Sequence, residues 1–219
     1  MPVNGVIIRS IEMSAILTID FDIIMSPSIQ LYNDLIGDQK SVNKIIKQYP
    51  LLEYTMTADF FIYEAITREL VKLFKRLPAE KVYFIKEHQT LLQLVKDIDK
   101  FQLFNVDHHH DIGYNKTKAA TKIIKPECGN WVKYLGDKGK LNEYIWICND
   151  NSDMPASDLH KIYLTEPINV KEFNFDSVQD IDKLIICNSP QWIPANIQAL
   201  FMAWLGIAEE FYDKSFNLI

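Results

Sequence analysis

Short apolar runs rich in β-branched and aromatic residues alternate along this chain with segments whose apolar positions recur at helical spacing. That alternation predicts a mainly parallel sheet flanked by helices. Strands are expected at 4–9, 14–20, 81–86, 102–107, 143–148, 161–165 and 183–188. Phe61, Ala65, Ile66, Leu70, Leu73, Phe74 and Leu77 fall on one stripe of period 3.6 and predict a helix. A second helix should follow His88, with Leu91, Leu92 and Val95 inward. A third should run from about 195 to 212, burying Ile197, Leu200, Phe201, Trp204, Ala208 and Phe211, with Pro190 and Pro194 bracketing its entry. Segments 28–36 and 40–48 read as helical, ahead of a loop at Tyr49-Pro50. No repeat, low-complexity tract or Gly/Ser/Pro-rich linker divides the chain, so 1–219 is read as one α/β domain with three α/β/α layers.

Composition narrows this picture. With 219 residues, 48% of them hydrophobic, the chain can bury a full core without a disulfide or a structural metal. A net charge of −6 argues against a nucleic-acid partner, which a basic face would attract. No apolar run approaches the roughly 20 residues of a membrane span, and the amino terminus lacks the basic start and apolar stretch of a secretory signal. The three cysteines form no zinc spacing. Cys148 and Cys187 end apolar runs and read as reduced, buried thiols, and the expected location is cytoplasmic.

The candidate chemistry lies where apolar strands end in polar clusters, since parallel sheets bind ligands at the carboxyl ends of their strands. One such end is Thr18-Ile19-Asp20-Phe21-Asp22 and another is Asn105-Val106-Asp107-His108-His109-His110-Asp111. If both continue extended, Asp20 and Asp22 share one side, as do Asp107, His109 and Asp111, while His108 and His110 point away. Four carboxylates packed together require cations. Oxygen ligands joined by imidazole suit Mn²⁺, Fe²⁺ or Zn²⁺ better than Ca²⁺ or Mg²⁺, and imply a two-metal hydrolase. A lone Asp-x-Asp after a strand usually opens a loop or caps a helix, and a lone histidine run is usually a solvated loop. The coincidence of the two strand ends favours the metal site. His88, just after the apolar strand expected at 81–86 and before a helix, joins as a sixth member.

In this order the motifs resemble the arginase/deacetylase superfamily, most closely the peptide arginases and their uncharacterised relatives. Those proteins place an Asp-x-Asp strand at the amino terminus, then a Glu-x-His helix start, an Asp-x-His-x-Asp strand and a Glu-Gly-Asn segment. Here the corresponding segments are Asp20-Phe21-Asp22, Lys86-Glu87-His88-Gln89 with the glutamate directly before the histidine, Asp107–Asp111, and Glu127-Cys128-Gly129-Asn130 with a cysteine after the glutamate. The resemblance spans residues 14 to about 135 and extends faintly to Asn188-Ser189-Pro190-Gln191-Trp192. It implies an arginase-like fold with the Asp-x-Asp strand moved to the amino terminus. It also implies two manganese ions, one held by His88, Asp107, Asp111 and Asp20, the other by His109, Asp107, Asp20 and Asp22. Asp20 and Asp107 would then bridge the ions and hold the attacking hydroxide. The implied reaction releases urea from a guanidino group, leaving ornithine, with a small guanidino compound or an arginine-containing peptide as substrate. Glu127, Asn130 and Gln191 are the implied substrate contacts.

Two positions depart from the pattern. Trp131-Val132-Lys133 follows Asn130 where free-arginine enzymes carry a proton-shuttling histidine, and Gln191 stands where a carboxylate is expected. Glutamine cannot form the charge-assisted pair that a carboxylate gives to a guanidinium. Lys116, Lys118, Lys122 and Lys125 form a basic stretch that reads first as a solvated face. The rival readings are a DHH-type phosphoesterase, which needs a histidine before Asp20 that this chain lacks, and a metal-binding pseudoenzyme or binding module.

Overall fold

Leu17, Ile19, Phe104 and Val106 face one side of the sheet, while Ile16 and Leu103 face the other. Such two-sided burial marks interior strands of a parallel sheet. The computed structural model describes residues 14–25, 57–113, 125–152 and 166–219. The strands expected at 4–9 and 161–165, the helices at 28–36 and 40–48, and Lys116, Lys118 and Lys122 lie outside the described residues.

Among the described residues seven strands form one sheet: β1 (Ser14–Asp20), β2 (Val82–Ile85), β3 (Phe101–Val106), β4 (Leu141–Cys148), β5 (Ile168–Asn169), β6 (Ile181–Cys187) and β7 (Asn217–Leu218). Their order is β5-β4-β3-β1-β6-β2-β7 and every pairing is parallel. Helices α1 (Phe60–Arg76) and α4 (Gln198–Tyr212) pack on one face with Leu17, Ile19 and Phe84. The short α2 (Leu91–Leu94) and α3 (Trp131–Asp137) pack on the other with Ile16, Leu103 and Ile185. The fold is therefore α/β in three layers with a parallel sheet.

Two expected helix faces need correction. Phe61 is 85% exposed, and Ile62 takes the inward place beside Ile66, Leu70, Leu73 and Phe74. Starting the stripe one residue later satisfies the period of 3.6 with β-branched and aliphatic side chains. Phe211 is likewise 38% exposed, near the end of α4, where the buried stripe of Phe201, Trp204 and Ala208 has already run out.

The topology fixes where a site can lie. From β1 the chain crosses to β2 through α1 on one face, whereas from β3 it crosses to β4 through α3 on the opposite face. Right-handed crossovers running in opposite directions must use opposite faces. The loops leaving β1 and β3 therefore diverge and open a crevice at their carboxyl ends. Asp20 ends β1, and Asp107 directly follows β3.

Candidate metal centre

The carboxyl end of β1 does not continue extended as the sequence suggests. Asp20 caps a 3-10 turn, Phe21–Ile24, and its Oδ1 accepts the Asp22 N–H at 3.2 Å. Asp22 thus reaches the crevice through a helical turn. The segment after β3 bends as well: His109 N–H donates to Asp107 Oδ1 at 2.8 Å, and Asp111 adopts a left-handed φ of 50°. Asp107, His109 and Asp111 still converge, but turn geometry rather than strand alternation brings them together. His110 turns away onto Trp146, and its Nδ1 accepts the Ile112 N–H.

All six expected ligands meet at this end of the sheet. Around His88 Nδ1 stand Asp20 Oδ2 at 3.0 Å, Asp107 Oδ2 at 3.2 Å and Asp111 Oδ2 at 3.4 Å. Around His109 Nδ1 stand Asp22 Oδ2 at 2.8 Å and Asp107 Oδ1 at 3.8 Å. Asp107 therefore turns one oxygen toward each histidine. Five of the six residues are almost wholly buried, and the His109 side chain is 25% exposed.

A second layer of polar groups holds the first. Thr18, the sole polar residue within Ala15–Ile19, has its hydroxyl 3.0 Å from His88 Nε2. Asn105 lies beside Thr18 in the β1–β3 register and donates to Asp107 Oδ2 at 3.2 Å. The Ser189 hydroxyl donates to Asp20 Oδ2 at 2.6 Å, and the Trp131 indole N–H donates to Asp111 Oδ2. Such outer partners orient the groups that face an ion.

Crowding four carboxylates against two imidazoles shifts the titration of both. Burial, then the neighbouring Asp22, raises the Asp20 carboxyl to about 6. Burial raises Asp107 too, helped by Asp111 and Asp20, and burial raises Asp111. Burial alone would lower both histidines, but the carboxylates outweigh it: Asp20 leads in lifting His88 well above its usual range, and Asp22 leads in lifting His109 to about 10. His110 is lowered by burial, and further by the neighbouring His109, to about 3. The cluster thus draws positive charge from whatever source it has. Asp22 Oδ2 is buried and lies 2.8 Å from His109 Nδ1, an acceptor placed for a cation. Ligand atoms around one ion of this class, each about 2.1 Å from it, lie roughly 3 Å apart, which matches the separations around His88. The donor set fits divalent metal.

The expected substrate contacts stand differently. Asn130 Oδ1 accepts the Glu127 N–H at 2.8 Å and closes a turn. Glu127 is exposed, and Gln191 is half-buried between Ser189 and Trp192. Neither side chain hydrogen-bonds to the six clustered residues among the described residues. Val132, at the place of the missing histidine, is wholly buried in the core.

Sequence reading missed Thr18, Asn105, Ser189 and the indole of Trp131. Thr18 carried a signal, being a lone hydroxyl inside an apolar strand. Cys187 proves more than a packing thiol: its sulfur, with Asp20 and His88, belongs to a group whose ligand atoms lie within 4.8 Å of one another. Among the described residues no helix is long and apolar enough to cross a membrane. Comparison with protein-family models, curated proteins and solved structures finds no match to this chain.

Proposed function

We propose that this protein is a binuclear metallohydrolase of arginase-like type. Its reaction would be cleavage of a C–N bond in the guanidino group of arginine, free or within a peptide. The observation that carries the reading is the division of Asp107 between the two histidines, Oδ2 toward His88 and Oδ1 toward His109. His88, Asp20, Asp107 and Asp111 would hold one cation; His109, Asp22, Asp107 and Asp20 would hold the other. Manganese suits this mixture of carboxylates and imidazoles, with iron and zinc as competitors. A pair of such ions supplies a hydroxide nucleophile at neutral pH and neutralises charge that develops on the substrate.

The chain's own residues do the remaining work. Asp107, with one oxygen toward each histidine, would set the spacing of the two positions together with Asp20, whose Oδ2 lies on the His88 side. Ser189, Trp131 and Asn105 keep the carboxylates from rotating once they are charged. Burial of Asp20, Asp22, His88, Asp107 and Asp111 excludes bulk water, so that substrate approaches from the His109 side. A dry pocket strengthens each electrostatic contact within it.

The test is a hydrolase assay on manganese-loaded protein, following urea and ornithine from arginine and from an arginine-containing peptide. Release of urea supports the reading. Release of phosphate from nucleotides instead would move the protein to a phosphoesterase. Metal uptake without turnover of either class would make it a binding module, a reading that Val132 and Gln191 favour over the enzyme.

A further inference from the structure

His109 is the one of the six clustered residues that opens toward solvent, and its ring lies beside those of His108 and Trp192. The His109 and Trp192 ring centroids lie 5.7 Å apart with planes at 50°. Trp192 is half-buried, unlike Trp131, Trp146 and Trp204, which are 0% exposed. Its place is set by Ser189, whose left-handed φ of 44° turns the chain sharply after β6. The Ser189 carbonyl accepts the Trp192 N–H at 2.9 Å, while its hydroxyl holds Asp20. A non-glycine residue keeps such a backbone only when its contacts hold it there. One residue therefore ties the ring to the carboxylate cluster.

Resting on the metallohydrolase reading above, we propose that Trp192 is a specificity-determining residue that stacks on the planar guanidinium of an arginine side chain as it enters past His109. An indole is the aromatic face that attracts cations most strongly. A guanidinium is flat and weakly hydrated, so it loses little on leaving water for that face. The neighbouring Gln191 offers no charge to the same group, which leaves cation recognition to the ring.

The test uses manganese-loaded wild type, Trp192→Phe and Trp192→Leu, with metal content measured first. Nα-acetyl-arginine amide is the probe, and its neutral citrulline counterpart is the control. Because the other three tryptophans are fully buried, acrylamide quenching of fluorescence reports on Trp192. The arginine probe protects Trp192 and the citrulline probe does not. By calorimetry, Trp192→Leu binds the arginine probe roughly tenfold more weakly, Trp192→Phe falls between, and the metal content of both variants equals wild type. Wild-type affinity in Trp192→Leu, or equal protection by citrulline, overturns this proposal alone. Wild type that takes up no manganese overturns the metal-centre reading and this proposal with it.

Discussion

The Thr18 hydroxyl lies 3.0 Å from His88 Nε2, on the side of the ring opposite the carboxylates that surround Nδ1. With Nε2–H donating to Thr18, the proton stays on that nitrogen and Nδ1 is the one left to meet a cation. An outer hydrogen bond of this kind fixes both tautomer and ring orientation.

Thr18→Val keeps the shape of the side chain and removes the acceptor. It should weaken manganese binding by roughly 10- to 100-fold, read by competition with a chelator, whereas Thr18→Ser should stay near wild type. Equal affinity in Thr18→Val would show that the ring is held by packing alone.

Asp22 touches the His109 side of the centre and Asp107 touches both sides. Asp22→Asn should therefore retain one cation of the pair, while Asp107→Asn should lose both. Elemental analysis after gel filtration distinguishes them. Identical metal content in the two variants contradicts the bridging role of Asp107.

Metal binding should release protons. In the metal-free protein His109 stays charged up to about pH 10, against an ordinary value of 6.5. Its pairing with Asp22 thus contributes stability fully below pH 6.5 and loses it as pH rises toward 10. A cation at Nδ1 displaces that proton, so apparent affinity should rise with pH across 6.5–10, up to about tenfold per unit for each proton released. Calorimetry in buffers of different ionisation enthalpy measures the release directly, and a pH-independent affinity would contradict it.

Behind the site, Lys133 is 0% exposed and its ammonium lies 2.8 Å from Asp137 Oδ2. Removing Asp137 withdraws this counter-charge from a wholly buried ammonium, whereas the Asp137 side chain is 12% exposed and can meet water without Lys133. Asp137→Ala should cost about 3 kcal/mol or more in denaturant unfolding, while Lys133→Met should cost much less. The reverse ranking would mean that water reaches the ammonium.

Hydrophobic patterning made the layers of this fold legible: the runs at 14–20, 102–107 and 183–188 each contain or overlap a strand that emerged. The order of strands was not legible, because β6 slips between β1 and β2 from far along the chain. The six clustered residues were readable from strand ends, although two turns that alternation does not describe bring Asp22 and Asp111 into place. Ser189 and Asn105 left no such trace. A serine in a proline-rich loop and an asparagine in an apolar strand acquire meaning only once β1, β3 and β6 stand side by side. Phe61 misled for a related reason, since a stripe can begin one residue off when the first turn of a helix offers two adjacent apolar side chains.

In the proposed centre Asp107 and Asp20 hold two cations side by side. Equilibrium dialysis of the wild-type chain against Mn²⁺, with the electron paramagnetic resonance spectrum of the loaded protein, tests it most directly. The expected result is about two ions per chain and the spectrum of an exchange-coupled pair. Retention of no manganese, or the signal of isolated ions alone, would contradict it.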